Sequence, residues 1–375
     1  MKIIVAPDKF KGSLTSIEAC EAIKTAISSN SKTTEVVQLP LSDGGDGLLE
    51  ALTQNASLEI RNLTVLDPLF RPVDTSYLIS GDNSAFIEMA KASGLLLLNS
   101  GERNPALTSS YGTGELIKDA IQKGARRITL GIGGSATNDA GMGMAAALGF
   151  RFYDNSGKGL MPIGQNLGRI ESIDSSNAID LSTLKIEVAC DVTNIFHGVN
   201  GAAYVFGPQK GANAIMVREL DEGLAHVAGI IKRDQGIDLQ KIQGSGAAGG
   251  LGGGAIAFLG AKLRSGIELV LEHSRAEEKI QRADLVISGE GKLDHQSLNG
   301  KVISGISSLC KKHNKPLIVV CGRNELRVEE YKAAGIIRVY SIIEYAEDQA
   351  SAIDKASYWL ESVTARAMGE FSNGV

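Results

Sequence analysis

Short apolar runs alternate with amphipathic stretches at both ends of this chain but not in its middle, and that interruption limits the folds open to it. Residues 2–6 are an apolar run closing at Asp8. They precede an amphipathic helix with Thr15 or Ser16 as N-cap and Glu18 in its first turn. Residues 35–39 form a second strand, and Asp43-Gly44-Gly45-Asp46-Gly47 opens another helix. The same rhythm returns after residue 283, with strands at 284–288, 317–321 and 337–342 and helices near 301–313, near 326–334 and from 347. Strands joined through helices pair in parallel, so these five strands make one doubly wound layer. Between them, residues 58–66, 73–79 and 85–89 are three strand-like runs joined only by turns, which demands an antiparallel or mixed sheet. A length of 375 residues exceeds one ordinary core. The expected architecture is therefore α/β: a flavodoxin-like doubly wound parallel-sheet domain (1–57 and 266–375) interrupted by a large inserted second α/β domain with a mixed sheet (58–265). Two sequential domains would leave the N-terminal half with only two βα units.

Composition removes several function classes. A net charge of −5 does not suit a nucleic-acid or anionic-membrane surface. The four cysteines show no CxxC spacing, so neither zinc nor a dithiol redox centre is signalled; Cys190 and Cys321 sit in apolar runs and read as core. The five histidines form no ligand-like cluster. The first residues turn polar too soon for a signal peptide, and the weakly polar stretch 247–261 is too short for a membrane span, so a cytoplasmic protein is expected. Glycine is in excess, with 44 residues against an average usage of about 7%, which points to tight turns and close backbone approaches.

In an open α/β sheet, ligands lie beyond the carboxyl ends of the strands. Those ends carry Asp8-Lys9, the Asp43–Gly47 turn and Gly289-Glu290-Gly291. Lys9, Lys11, Gly12 and Ser13 fit an anion site made with helix amides, or an ordinary solvated loop. Asp43 and Asp46 among glycines suit Mg²⁺ and a phosphate, or a tight turn with an N-cap. Gly133-Gly134-Ser135-Ala136-Thr137-Asn138-Asp139 follows an apolar strand and gathers hydroxyl, amide and carboxylate groups at a helix start, as a grip on a polar substrate would. Asp191 in Cys190-Asp191-Val192-Thr193-Asn194 fits a base for a hydroxyl, an Mg²⁺ ligand or a turn residue. Lys210 adds a cation between Pro208 and Gly211, and Glu290 and Asp294 add carboxylates beside glycine. No P-loop, protein-kinase or GxSxG motif occurs. One GxGxxG does, at Gly244, Gly246 and Gly249, but the segment before it carries only two apolar residues where a dinucleotide site needs a strand; a glycine-rich helix start fits better.

Taken in order, these segments resemble the bacterial glycerate kinases of glyoxylate, glucarate and galactarate metabolism, the non-P-loop glycerate 2-kinase type. The matching pieces are Ala6-Pro7-Asp8 with Phe10–Leu14, Pro40-Leu41 with Asp43-Gly44-Gly45, 133–139, 190–194, 205–211, 246–252, and 289–291 with Asp294. The resemblance implies ATP- and Mg²⁺-dependent phosphorylation of D-glycerate to 2-phosphoglycerate, with the active site in the cleft between the domains. It implies small-molecule partners, no nucleic acid or membrane, and a monomer or homodimer. Asp191 and Lys11 are then the catalytic candidates and Asp43 and Asp46 the metal ligands. Asp8, Lys9, Ser13, Ser135, Thr137, Asn138, Asp139, Asn194, Lys210, Gly289, Glu290, Gly291 and Asp294 are expected on substrate or phosphate. Lys9 stands where the family often has Ser, which favours Lys11 for the anion; Asp46 replaces a frequent Glu, and Ile195 and Ile303 stand where Pro is common.

Overall fold

Thirteen short, mostly apolar segments form strands among the residues that the computed structural model describes, which are 1–31, 33–44, 47–53 and 58–372. They are β1 (Lys2–Val5), β2 (Glu35–Gln38), β3 (Leu58–Leu66), β4 (Pro72–Ser80), β5 (Ser84–Glu88), β6 (Arg127–Gly131), β7 (Arg151–Tyr153), β8 (Ser172–Asp174), β9 (Lys185–Ala189), β10 (Lys262–Arg264), β11 (Leu285–Leu293), β12 (Leu317–Asn324) and β13 (Arg338–Ser341). β7 and β8 pair as a small antiparallel ribbon. Backbone contacts divide the chain into two units, Met1–Asp43 with Glu50–Ala56 and Ile267–Val375, and Gly44–Leu49 with Ser57–Gly266.

In the first unit every pairing is parallel and the order is β13-β12-β11-β1-β2. This is the flavodoxin-like order, in which the chain leaves the first strand on one side and returns on the other. The switch point therefore falls between β1 and β11. Ile3, Val5, Ile287, Ile318 and Val320 pack beneath the helices Ser16–Asn30 and Ala356–Ser372. The first of these helices starts where the sequence places it. Thr15 Oγ1 accepts from the Glu18 N–H at 3.2 Å, and Glu18 Oε2 accepts from the Thr15 N–H at 2.8 Å, a complete capping box.

The second unit has a six-stranded mixed sheet, β10-β9-β6-β5-β4-β3. β3, β4 and β5 are joined by turns and pair antiparallel, whereas β5, β6, β9 and β10 pair in parallel. The helix Tyr111–Gln122 lies between β5 and β6 in the chain and supplies the crossover that a parallel pair requires. Tyr77, Ile87, Leu130, Val188, Leu224 and Leu251 belong to its core. Among the described residues no helix is long and apolar enough to cross a membrane.

Three expectations change. Gly289-Glu290-Gly291 is not a loop: β11 runs through it to Leu293, with Gly289 opposite Val320 and Glu290 opposite Cys321. The reason is steric. A Cβ at Gly289 would lie 2.3 Å from the Val320 carbonyl oxygen and 3.3 Å from the Phe10 ring. The helix after 133–139 starts at Met142 behind a left-handed Gly141, which takes the N-cap position, so Asn138 and Asp139 lie upstream of it and Asp139 reaches forward to its first turn. Cys190 is half-buried, while Cys321 is core. The 244–254 segment is a glycine-rich entry to the helix Leu251–Leu259, preceded by the 3-10 turn Leu239–Lys241 and not by a strand. A Cβ at Gly249 would sit 2.0 Å from the Thr137 carbonyl oxygen, and one at Gly254 2.1 Å from that of Ala140, so these glycines let one loop lie on another.

Gly289→Ala should cost about 1–3 kcal/mol, the usual range for overpacking, read as an earlier urea midpoint. An unchanged midpoint would contradict the contact between β11 and β12.

Candidate active site

The first unit gathers its polar groups at the switch point. Asp8 follows β1, and its Oδ1 accepts from the Lys9 N–H at 2.7 Å. Burial first, and then the charge of Asp43, push its carboxyl up to about 6, against Lys9 and Lys301. Glu290 lies on β11, next to β1 in the sheet, and is 9% exposed. Burial pushes it up to about 7, Asp8 and Asp294 add repulsion, and a hydrogen bond from Ser297 and the charge of Lys301 work the other way. Its Oε1 is buried without a hydrogen-bond partner. Two carboxyl groups that titrate near neutrality beside one another mark this end of the sheet as the place where a cation or a proton is expected.

Lys301 and Ser297 escaped the sequence reading. Lys301 opens the helix Val302–Lys312, and its charge bears on both Asp8 and Glu290. The run Asn299-Gly300-Lys301, a turn before a helix start, was the available signal. Asp294 accepts from the N–H groups of Gln296 and Ser297 at 2.8 and 3.3 Å and so shapes the turn after β11. Lys11, Gly12 and Ser13 are exposed in a tight turn in which Phe10 and Leu14 bond reciprocally. The helix behind that turn is closed by the capping box of Thr15 and Glu18, which already pairs two of its end groups. Gly291 is close to this turn, since a Cβ there would lie 3.2 Å from the Lys11 backbone nitrogen. Asp43 is half-buried; Asp46 and Gly45 lie outside the described residues. Among the described residues no group of three His, Cys, Asp or Glu side chains is placed to hold a metal.

The second unit builds its polar set on the loop after β6. Ser135 is 8% exposed, whereas Thr137, Asn138 and Asp139 are fully buried. Asp139 accepts from the Ser110 N–H and hydroxyl, each at 2.7 Å, and from the N–H groups of Gly143 and Gly141 at 3.1 and 3.2 Å. Burial still holds its carboxyl above the usual range despite those four donors. All four donors are protein groups, so Asp139 organises the loop rather than reaching out from it. Lys210 is also buried, and its Nζ donates to Ser135 Oγ at 2.7 Å and to the Thr137 carbonyl at 2.6 Å. Burial lowers it to about 7, with Asp139 pulling upward. The expected surface cation is thus a strut beneath the loop. Thr137 Oγ1, both polar atoms of the Asn138 amide, and Ser245 Oγ are buried without partners. Unmatched donors and acceptors of this kind each cost about 1–3 kcal/mol unless a ligand or water meets them.

Asp191 follows β9 and is exposed. Its Oδ1 accepts from the Gly266 N–H at 2.9 Å and the Ser265 hydroxyl at 3.1 Å, which fixes the carboxylate's direction. The Asn194 side-chain amide donates to the Asn200 carbonyl at 3.0 Å, and the Asn194 backbone carbonyl accepts from the Gly246 N–H at 3.0 Å.

Comparison with known proteins adds an independent line. Residues 3–372 match the model of the glycerate kinase family. The chain is 44% identical over 345 residues to the glycerate 2-kinase of Escherichia coli K12, covering 92% of this chain and 91% of that protein. It is 42% identical over 363 residues to a glycerate kinase of Bacillus subtilis, covering 96% and 95%. A crystal structure of a putative glycerate kinase 2 from Salmonella typhimurium superposes with a TM-score of 0.87 at 40% identity, covering 100% of this chain and 99% of that one.

The raised carboxyl of Glu290 has a direct consequence for stability in metal-free protein. Its folded value lies above its unfolded one, so its contribution is fully present below the unfolded value, near 4.5, and is lost as pH rises through about 7. Glu290→Gln should therefore gain on the parent protein by up to about 3 kcal/mol between pH 5 and pH 8 in urea titrations. A difference that stays constant over that window would show that Glu290 is not desolvated.

Proposed function

This chain belongs to the glycerate kinase family and is a phosphotransferase acting on an alcohol group, and on that premise we propose that it transfers the γ-phosphoryl group of ATP to the 2-hydroxyl of D-glycerate. The product is 2-phosphoglycerate, as the name of the Escherichia coli relative suggests, and the setting that the family resemblance implies is cytoplasmic catabolism of glycerate, glyoxylate or sugar diacids. The observation that carries this reading is the Asp8–Glu290 pair at the switch point, with Lys301 bearing on both and one Glu290 oxygen unmatched. Such a group suits a polyanion that arrives with a cation, and a kinase takes ATP as its donor.

Asp43 and Asp46 remain the candidates to hold a magnesium ion, because Mg²⁺ needs only one or two carboxylates when phosphate oxygens complete its shell, and the repulsion between Asp43 and Asp8 would be relieved by a cation. When bound, the ion supplies neutralisation of the triphosphate charge. Lys9, Lys11 and Ser13 lie in the turn after β1 and serve the phosphates, with Lys11 at the more exposed position. In the second unit, Ser135 and the unmatched Asn138 amide on the 133–139 loop serve the carboxylate and hydroxyls of the acid, while Asp139 and Lys210 hold that loop in shape.

A glycerate hydroxyl is a poor nucleophile until its proton has an acceptor. Asp191 is assigned that task because two donors hold its carboxylate on a strand end. Positioning and charge neutralisation carry most of phosphoryl transfer, so loss of the base slows the reaction without abolishing it.

Phosphorus NMR of the product from D-glycerate, ATP and Mg²⁺ should show the 2-phosphate ester, with no turnover in excess chelator. A 3-phosphate product, or undiminished turnover without the metal, would refute the reading. Asp191→Asn should lower kcat by roughly 10²–10⁴-fold while leaving the KM for ATP near its parent value. Unchanged kcat would return Asp191 to the role of a turn residue.

A further inference from the structure

Lys210 and Ser135 form a buried polar contact in the second unit that the proposed chemistry does not itself require. A lysine ammonium has three hydrogens and no lone pair, whereas the neutral amine has two hydrogens and one lone pair; a serine hydroxyl has one hydrogen and two lone pairs. At 1% exposure Lys210 is shut off from bulk solvent, and its Nζ lies 2.6 Å from the Thr137 carbonyl and 2.7 Å from Ser135 Oγ. Thr137 offers only an acceptor, so it takes a lysine hydrogen in either form. The contact with Ser135 can run in either direction.

We propose that Lys210 is a positioning residue whose ammonium, by donating to Ser135 Oγ, turns the serine's own hydrogen outward as a donor to the carboxylate of the acid substrate. This rests on the reading above that the 133–139 loop grips the acid. With the amine form, Ser135 donates inward to the lysine lone pair and presents only its oxygen lone pairs to the outside, which repel a carboxylate. Ser135, at 8% exposure, is the member of the pair that reaches the surface. The loop around it is held by other bonds besides those of the lysine: Leu95 donates to the Gly134 carbonyl, Ala136 to that of Ser93, and Thr108 to that of Ala136. Besides supporting the loop, the lysine sets the direction of one hydrogen.

The two forms exchange close to neutrality, since burial brings Lys210 down to about 7. Asp139 faces it from the same loop and favours the ammonium, and Arg103 packs its backbone against the neighbouring Gly211. The ammonium is present below that pH and lost above it. The acid's carboxylate is ionised throughout, with an ordinary value of about 3.5. Affinity for the acid should therefore fall as pH rises through 7 while the acid itself does not change.

Steady-state kinetics of the parent protein and Ser135→Ala from pH 6 to pH 9 test this. In the parent, KM for D-glycerate should rise about ten-fold over the range, the effect of one hydrogen bond to a charged group. Ser135→Ala should show the high KM at pH 6 already and lose that pH dependence, with KM for ATP unaffected. If Ser135→Ala matches the parent at every pH, the loop does not grip the acid and the functional reading of 133–139 falls. If it raises KM but keeps the parent's pH dependence, the loop reading stands and the coupling to Lys210 is refuted. Lys210→Met, checked for folding by circular dichroism, should likewise give a high, flat KM; should it not fold, the serine variant decides alone.

Discussion

Glu290 sits on the strand beside β1, buried, with Asp8 near enough to raise its proton affinity, and Asp8 is raised in turn by burial and by Asp43. Leaving such groups ionised and uncompensated costs about 1.4 kcal/mol for each unit by which the pKa is displaced. The flavodoxin-like strand order enforces that cost: it brings the end of β1 beside β11, where helices leave to opposite sides and the carboxyl ends stay open. A chain that needed only stability would place apolar residues there. Carboxyl groups at this point are explained by a ligand that brings positive charge with it, as a nucleotide with its cation does.

The second unit handles charge in another way. Lys210 and Asp139 are both fully buried, and each is bonded to the backbone or hydroxyls of its surroundings. Their charges are spent on holding the 133–139 loop, which leaves Ser135 at the surface and the Asn138 amide unmatched. The glycines at 246, 249 and 254 complete the arrangement from the other side, because any side chain there would strike the backbone of Ile195, Thr137 or Ala140. Rigidity of this kind keeps a small polar substrate from being held in several poses.

Much of the fold was legible because it depends on local patterns. Apolar runs separated by helices announced the parallel sheet, and three runs separated by turns announced the antiparallel part of the second sheet. The Thr15–Glu18 capping box was readable from residue types alone. What could not be read depended on contacts distant in sequence. Gly289 and Gly291 look like a phosphate loop until β12 and Phe10 are set against them. Lys210 looks like a surface cation between turn residues until a loop some seventy residues earlier closes over it. Lys301 had only a turn before a helix start to mark it, and its importance comes from the charge it brings to Asp8 and Glu290. Residue types announced a polar site; which groups face outward and which are struts is a property of packing.

The claim on which the rest depends is that the switch point holds a carboxyl group out of water until a cation arrives. Carbon-13 NMR of the Glu290 carboxyl, assigned by loss of its signal in Glu290→Gln, measures this directly. Metal-free protein should show its titration step near pH 7, moving to lower pH when Mg²⁺ and ATP are added. A step near the ordinary glutamate value of about 4.3, unmoved by both, would contradict the account.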